Sequence, residues 1–89
     1  QVWGERGAGP GQMSYPYDLS LGADGSLFVC EYGNSRVQKF SRDGRSLAIW
    51  GGAGRKPGEL YNPWALAVDS RGVVSVVDSN NHRVQRFRL

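Results

Sequence analysis

The sequence predicts an all-β fold built of short antiparallel sheets, and three observations carry that prediction. The chain of 89 residues repeats itself with a period of 47, the interval from Trp3 to Trp50. Trp3, Gly4, Gly7, Pro10, Gly11, Pro16 and Leu19 recur as Trp50, Gly51, Gly54, Pro57, Gly58, Pro63 and Leu66. Gly25, Val29, Asn34, Arg36, Val37, Gln38 and Phe40 recur as Gly72, Val76, Asn81, Arg83, Val84, Gln85 and Phe87, making 14 identities over 42 superposable positions without a gap. Secondly, 13 glycines and 4 prolines leave no uninterrupted amphipathic helical run. Thirdly, the segments between these breaks are short and rich in Val, Leu, Ile and aromatic residues, as strands are. Four short antiparallel strands in about 45 residues describe one blade of a β-propeller.

The elements follow in order. "PYDLSL" (16–21), "SLFVCE" (26–31), "RVQKFS" (36–41) and "SLAIW" (46–50) are expected as strands A to D of a complete blade, 16–50. "PWALAV" (63–68), "VVSVVD" (73–78) and "RVQRFR" (83–88) are expected as strands A to C of a second blade, 63–89. "ADG", "SRDG" and "SRG" supply the turns, where glycine admits the positive φ of a tight hairpin. No helix longer than a turn is expected.

The phrases "EYGNSRVQKF" and "DSNNHRVQRF", with the preceding "NPWALAVDSRGVVSVVD", resemble NHL repeats. The resemblance covers nearly the whole chain in two copies and implies a β-propeller, usually six-bladed, with strands A to D running outward from the central axis. It implies no single activity, since the family includes RNA-binding modules, protein-interaction platforms and relatives of lyases and hydrolases.

Two blades make a poor monomer. Each blade is a sheet that needs a neighbour on both faces, and repeat units of this kind usually need about three copies for stability. "QVWG" (1–4) aligns with "AIWG" (48–51), so the chain carries a D strand at its start and a second blade without one. Pairing Gln1, Val2, Trp3 and Gly4 of one copy with Arg83, Val84, Gln85, Phe87 and Leu89 of the next satisfies two exposed edges, head to tail. Trp3 is then expected to pack on a neighbouring chain. The six-bladed habit implied by the resemblance favours a homotrimer, with rings of two or four chains as the other closures. The start at Gln1, without a methionine, suggests an excised or designed fragment of something longer.

Composition constrains function weakly. Eleven Lys and Arg against eight Asp and Glu give +3, and the basic residues are interspersed with acids apart from Arg55-Lys56, so no nucleic-acid stripe emerges. Cys30 is the sole cysteine and reads as a small buried hydrophobe, with no disulfide framework and no zinc motif. No signal-peptide core and no membrane-spanning apolar run stand out, so no membrane association is expected. The compartment is unspecified.

Candidate chemistry concentrates on one side. Strand alternation puts the D-to-A loops and B-to-C turns on the same face, where loops on a rigid scaffold carry binding. That face collects Arg6, Arg55, Lys56, Asn34, Asn81 and His82, beside Tyr15, Tyr17, Tyr61 and Trp64 at the start of strand A. The aromatics are weighed as packing against an aromatic binding surface. Arg36 and Arg83, five residues after Glu31 and Asp78, read as structural clamps across the B–C turn, with anion recognition as the alternative. Catalysis is not expected: His82 is the only histidine, Asp18 is the one inward acid, and no nucleophilic triad or phosphate loop is recognisable. No cofactor and no metal are expected. The leading reading is a self-assembling, non-enzymatic scaffold, with RNA or protein binding on the loop face, or a vestigial lyase or hydrolase propeller, as alternatives.

Overall fold

The computed structural model describes all residues 1–89. It contains β1 (Pro16–Leu21), β2 (Leu27–Glu31), β3 (Arg36–Phe40), β4 (Ser46–Gly51), β5 (Ala65–Val68), β6 (Val73–Asp78) and β7 (Arg83–Arg88). One 3₁₀ turn, Ser79–Asn81, precedes β7. The sheets are fully antiparallel meanders, β1-β2-β3-β4 in blade one and β5-β6-β7 in blade two. The expected strands therefore form, with edges moved by a residue or two. The largest difference is in the second strand A, which begins at Ala65 rather than 63. In blade one the Tyr32 N–H donates to Tyr15 O and the ladder opens at Pro16, whereas the equivalent Ser79 enters the 3₁₀ turn and only the Trp64 N–H reaches Val77 O before the ladder starts.

Alternation decides which side chains meet between the blades. On blade one Cys30 opposes Val37 within the β2–β3 ladder, and Val37 opposes Trp50 in the next. These residues and Phe28 face blade two, where they share one apolar cluster with Leu60, Leu66, Val74 and Val76, flanked by Val68 and Phe87. The core is thus the seam between two sheets. Trp50 stacks flat on Phe87, 3.6 Å between ring centres and 5° between planes. At the edge strands the Asp18 carboxylate accepts the Leu66 N–H at 3.0 Å, tying β1 to β5.

The backbone repeats as faithfully as the sequence. Gly4 and Gly51 have φ of +107° and +104°, Gly11 and Gly58 +84° and +86°, and Tyr15 and Asn62 +48° and +50°. The turns of segment 4–15 therefore repeat those of 51–62, except at Glu5, whose counterpart Gly52 alone of the two has positive φ. Trp3 departs from expectation. Its ring lies on Phe40 of its own chain, 4.9 Å between centres, the same pairing that Trp50 makes with Phe87 one period later. In this repeat a strand-D tryptophan packs on the phenylalanine of the blade that follows it in sequence, and for Trp3 that blade is its own.

Candidate functional site: the loop face

The repeated phrase N-x-R-V-Q-x-F is explained by what its polar side chains hold. Glu31, at the end of β2, is fully buried and Arg36 nearly so, and Arg36 Nε donates to Glu31 Oε2 at 2.9 Å. The rest of the guanidinium reaches the D-to-A loop, donating to the carbonyls of Ala8, Gly9 and Gln12 at 2.7, 3.1 and 2.8 Å. Asn34 Nδ2 donates to Gly7 O and Glu31 Oε1. Gln38 Nε2 donates to Gln12 O and Glu31 Oε2, while its Oε1 accepts the Gly11 N–H and the Ser46 hydroxyl. Three side chains and one carboxylate thus stitch an irregular loop to the sheet and satisfy carbonyls that would otherwise lack partners.

Blade two repeats the stitch with Asp in place of Glu. Arg83 Nε donates to Asp78 Oδ2 at 2.7 Å, and Arg83 also reaches the carbonyls of Lys56 and Glu59. Asn81 holds Gly54 O and Asp78, and Gln85 holds Glu59 O, Asp78 and the Gly58 N–H. Burial by itself raises the Asp78 carboxyl, but the Tyr61 N–H and the Arg83, Asn81 and Gln85 side chains outweigh it and hold the pKa below its ordinary 3.8. The clamp reading of Arg36 and Arg83 is the one the geometry supports. Asn34 and Asn81, expected as ligand-binding candidates, have both amide hydrogens engaged in the stitch.

In each blade the D-to-A loop lies against the B–C turn. Gly33 N donates to Ser14 O and Tyr32 N to Tyr15 O, fastening the D-to-A loop to the B–C turn of blade one; Asn80 N donates to Tyr61 O in blade two. Arg55 and His82 border a shallow polar hollow with Asn80, Asn81 and Arg83. Arg6 and Tyr15 border a second one with Glu5 and Ser14. Lys56 lies exposed on the same loop as Arg55.

Of the four expected aromatics, two come together. Tyr17 and Trp64 meet edge to face at 5.9 Å, and both contact Tyr32, which stacks on Tyr17 at 4.8 Å. Tyr15 and Tyr61 are exposed outside this cluster. Tyr32 is the member that sequence reasoning missed, because it lies in a B–C turn whose second copy holds Ser79. The cluster straddles the two blades where β1 lies against β5, with Trp64 56% exposed.

Groups able to do chemistry are few. No three His, Cys, Asp or Glu side chains are grouped as metal ligands. Asp18 has its oxygens on the Leu19 and Leu66 amides. Cys30 is fully buried between the blades, and burial, then the nearby Asp18 and Glu31 charges, push its thiol up to about 12. That is far from a nucleophilic thiolate.

Comparison with known proteins agrees with this architecture. The family model for the NHL repeat matches twice, at residues 13–40 and 60–87, each match running from the end of a D-to-A loop through strand C. NHL repeat-containing protein 3 of Homo sapiens is 38% identical over 40 residues, and its Mus musculus counterpart 40% over 40 residues. Each alignment covers 45% of this chain, which spans only 12% of the length of either relative. Two matches in register with two stitched sheets place the chain in the NHL repeat family.

Proposed function

We propose that this chain is a non-enzymatic propeller scaffold: a pair of blades that joins copies of itself head to tail into a closed ring and offers the loop face for binding. The observation that carries this reading is a pair of unpartnered apolar flanks on opposite sides of the chain. Blade one exposes Leu19, Leu21, Leu47 and Ile49; blade two exposes Val77 and Val84. Each belongs to a sheet whose other face is buried in the core between the blades. Such faces call for a neighbouring blade. The stitch supports a binding rather than a catalytic role, because its polar groups are engaged with backbone and with one another. Three chains of 9.8 kDa forming six blades is the favoured closure. Light scattering at micromolar concentration should give about 29 kDa (three times 9.8). Four chains would keep the assembly and refute the blade count, whereas 9.8 kDa would refute the assembly.

A second reading, recognition of single-stranded RNA or a protein segment on the loop face, is favoured by the Tyr17–Tyr32–Trp64 cluster, in which Tyr17 and Trp64 are exposed, and by the exposed Arg6 and Arg55 of the D-to-A loops. Aromatic faces stack on bases, and basic side chains attract the backbone. Retention of single-stranded RNA that weakens with salt and is lost in Trp64→Ala would support the nucleic-acid form. No retention at low salt would exclude it. A vestigial lyase or hydrolase would have Asp18 as its axial acid, and an active chain losing turnover on Asp18→Asn would be the result to seek.

A further inference from the structure

We propose, resting on the assembly reading above, that the open face of blade one is the docking site for blade two of a second copy, in a register that the internal repeat specifies residue by residue. The same face of blade two is already occupied. There Leu66 and Val76 lie in one cluster with Cys30 and Val37 of blade one. One period earlier, Leu19 and Val29 line an open hollow of about 470 Å³ with Trp3, Met13 and Tyr17. One period after Cys30 and Val37 stand Val77 and Val84, which are 41% and 63% exposed where their counterparts are fully buried. The chain carries a filled hollow, an empty copy of that hollow and an unplaced copy of what fills it.

The backbone supplies the register. Within blade one Val37 opposes Trp50 and Gln38 opposes Ile49. Carried forward one period, Val84 opposes Trp3 and Gln85 opposes Val2 of the next copy. Val2 is 97% exposed, and Gly4 already holds the φ of Gly51, the last residue of β4, so the chain turns into its loop after Gly4 as it does after strand β4. Side-chain sizes compensate across the new seam. Ser75 replaces the bulky Phe28, while Leu21 and Leu27 replace the smaller Val68 and Val74 of the same cluster. A second copy thus fits this face through a heterologous contact, which closes into a ring when the rotation allows.

The experiment blocks one face at a time. Leu19→Asp charges the receiving face and Val84→Asp the inserting face; both side chains are mostly exposed in the single chain, so neither substitution enters its core. Each variant alone should have the mass of one chain by light scattering. An equimolar mixture should double it to about 20 kDa (twice 9.8), because each variant retains the face the other lacks. A mixture that stays at single-chain mass, or a variant that keeps the wild-type mass, overturns the seam. Wild-type protein at single-chain mass overturns the assembly reading itself and gives these faces to a blade of different sequence. Amide exchange on the wild type needs no substitution: assembly should slow exchange at Val2–Gly4 and along Arg83–Arg88. Unchanged exchange at both segments in assembled protein also overturns the seam.

Discussion

Arg36 and Arg83 occupy equivalent places and differ in what surrounds them. Both bond a carboxylate and two or more loop carbonyls, but the Arg36 side chain is 8% exposed and that of Arg83 30%. Removing Arg36 leaves Glu31 as a buried charge and frees the carbonyls of Ala8, Gly9 and Gln12. Breaking a buried pair in this way costs about 3–5 kcal/mol. Chemical denaturation should therefore show Arg36→Ala to be more damaging than Arg83→Ala, where water solvates part of what is freed; the reverse order would contradict the stitch. Asp78 adds a pH dependence. Its folded pKa lies below the unfolded 3.8, so its stabilisation is complete above about pH 5 and is lost as pH falls through 3.8 and then the folded value. Asp78→Asn should flatten the acid limb of a stability–pH curve, and an unaltered limb would refute this account.

Turns and loops decide whether the strands can pack. Gly44, in the β3–β4 hairpin, has φ of +90°, and a Cβ there would stand 2.5 Å from the Trp3 ring. Gly72, in the β5–β6 hairpin, has φ of +81° with nothing within 4 Å of an added Cβ. Alanine at either position meets the left-handed penalty of about 1–2 kcal/mol, but only Gly44→Ala also displaces Trp3. Thermal unfolding should find Gly44→Ala the more destabilising of the two. In a Trp3→Ala background that excess should vanish, and its persistence would remove Trp3 from the β3–β4 hairpin. The strand limits reflect the same local chemistry: the positive-φ residues Tyr15 and Asn62 turn each chain segment into strand A, and the second ladder starts later where Ser79 enters a 3₁₀ turn and does not pair as Tyr32 does with Tyr15.

The whole molecule is held by one sheet-to-sheet core, with Cys30 at its centre. With its thiol pushed up to about 12, Cys30 carries almost no thiolate at pH 8. Labelling by an aromatic disulfide should therefore proceed only when the blades part, at a rate that rises with denaturant. Rapid labelling in native buffer would show that the inter-blade core is open. If the flanks are covered by further copies, blade separation and chain dissociation become linked, and the unfolding midpoint should rise with protein concentration.

Much of this was legible in 89 letters, for a physical reason. A 47-residue period with matched glycines, prolines and alternating apolar positions determines strands, turns and blade topology locally, because each depends on φ preference and on period-two alternation. The clamp in N-x-R-V-Q-x-F was likewise readable at the level of Glu31 with Arg36. What tertiary structure alone decided were contacts between segments far apart in sequence. Asn34, Gln38 and Arg36 reach a loop 24–28 residues earlier, a partner that spacing within a strand cannot reveal. Tyr32 joins Tyr17 and Trp64 only because a turn of one blade lies against the inner strand of the next. Trp3 lands on Phe40, in its own chain, because the loop after Gly4 folds residues 1–4 back across the blade that follows. Repetition dictates each unit, and the packing of units dictates which side chains remain free to meet something else.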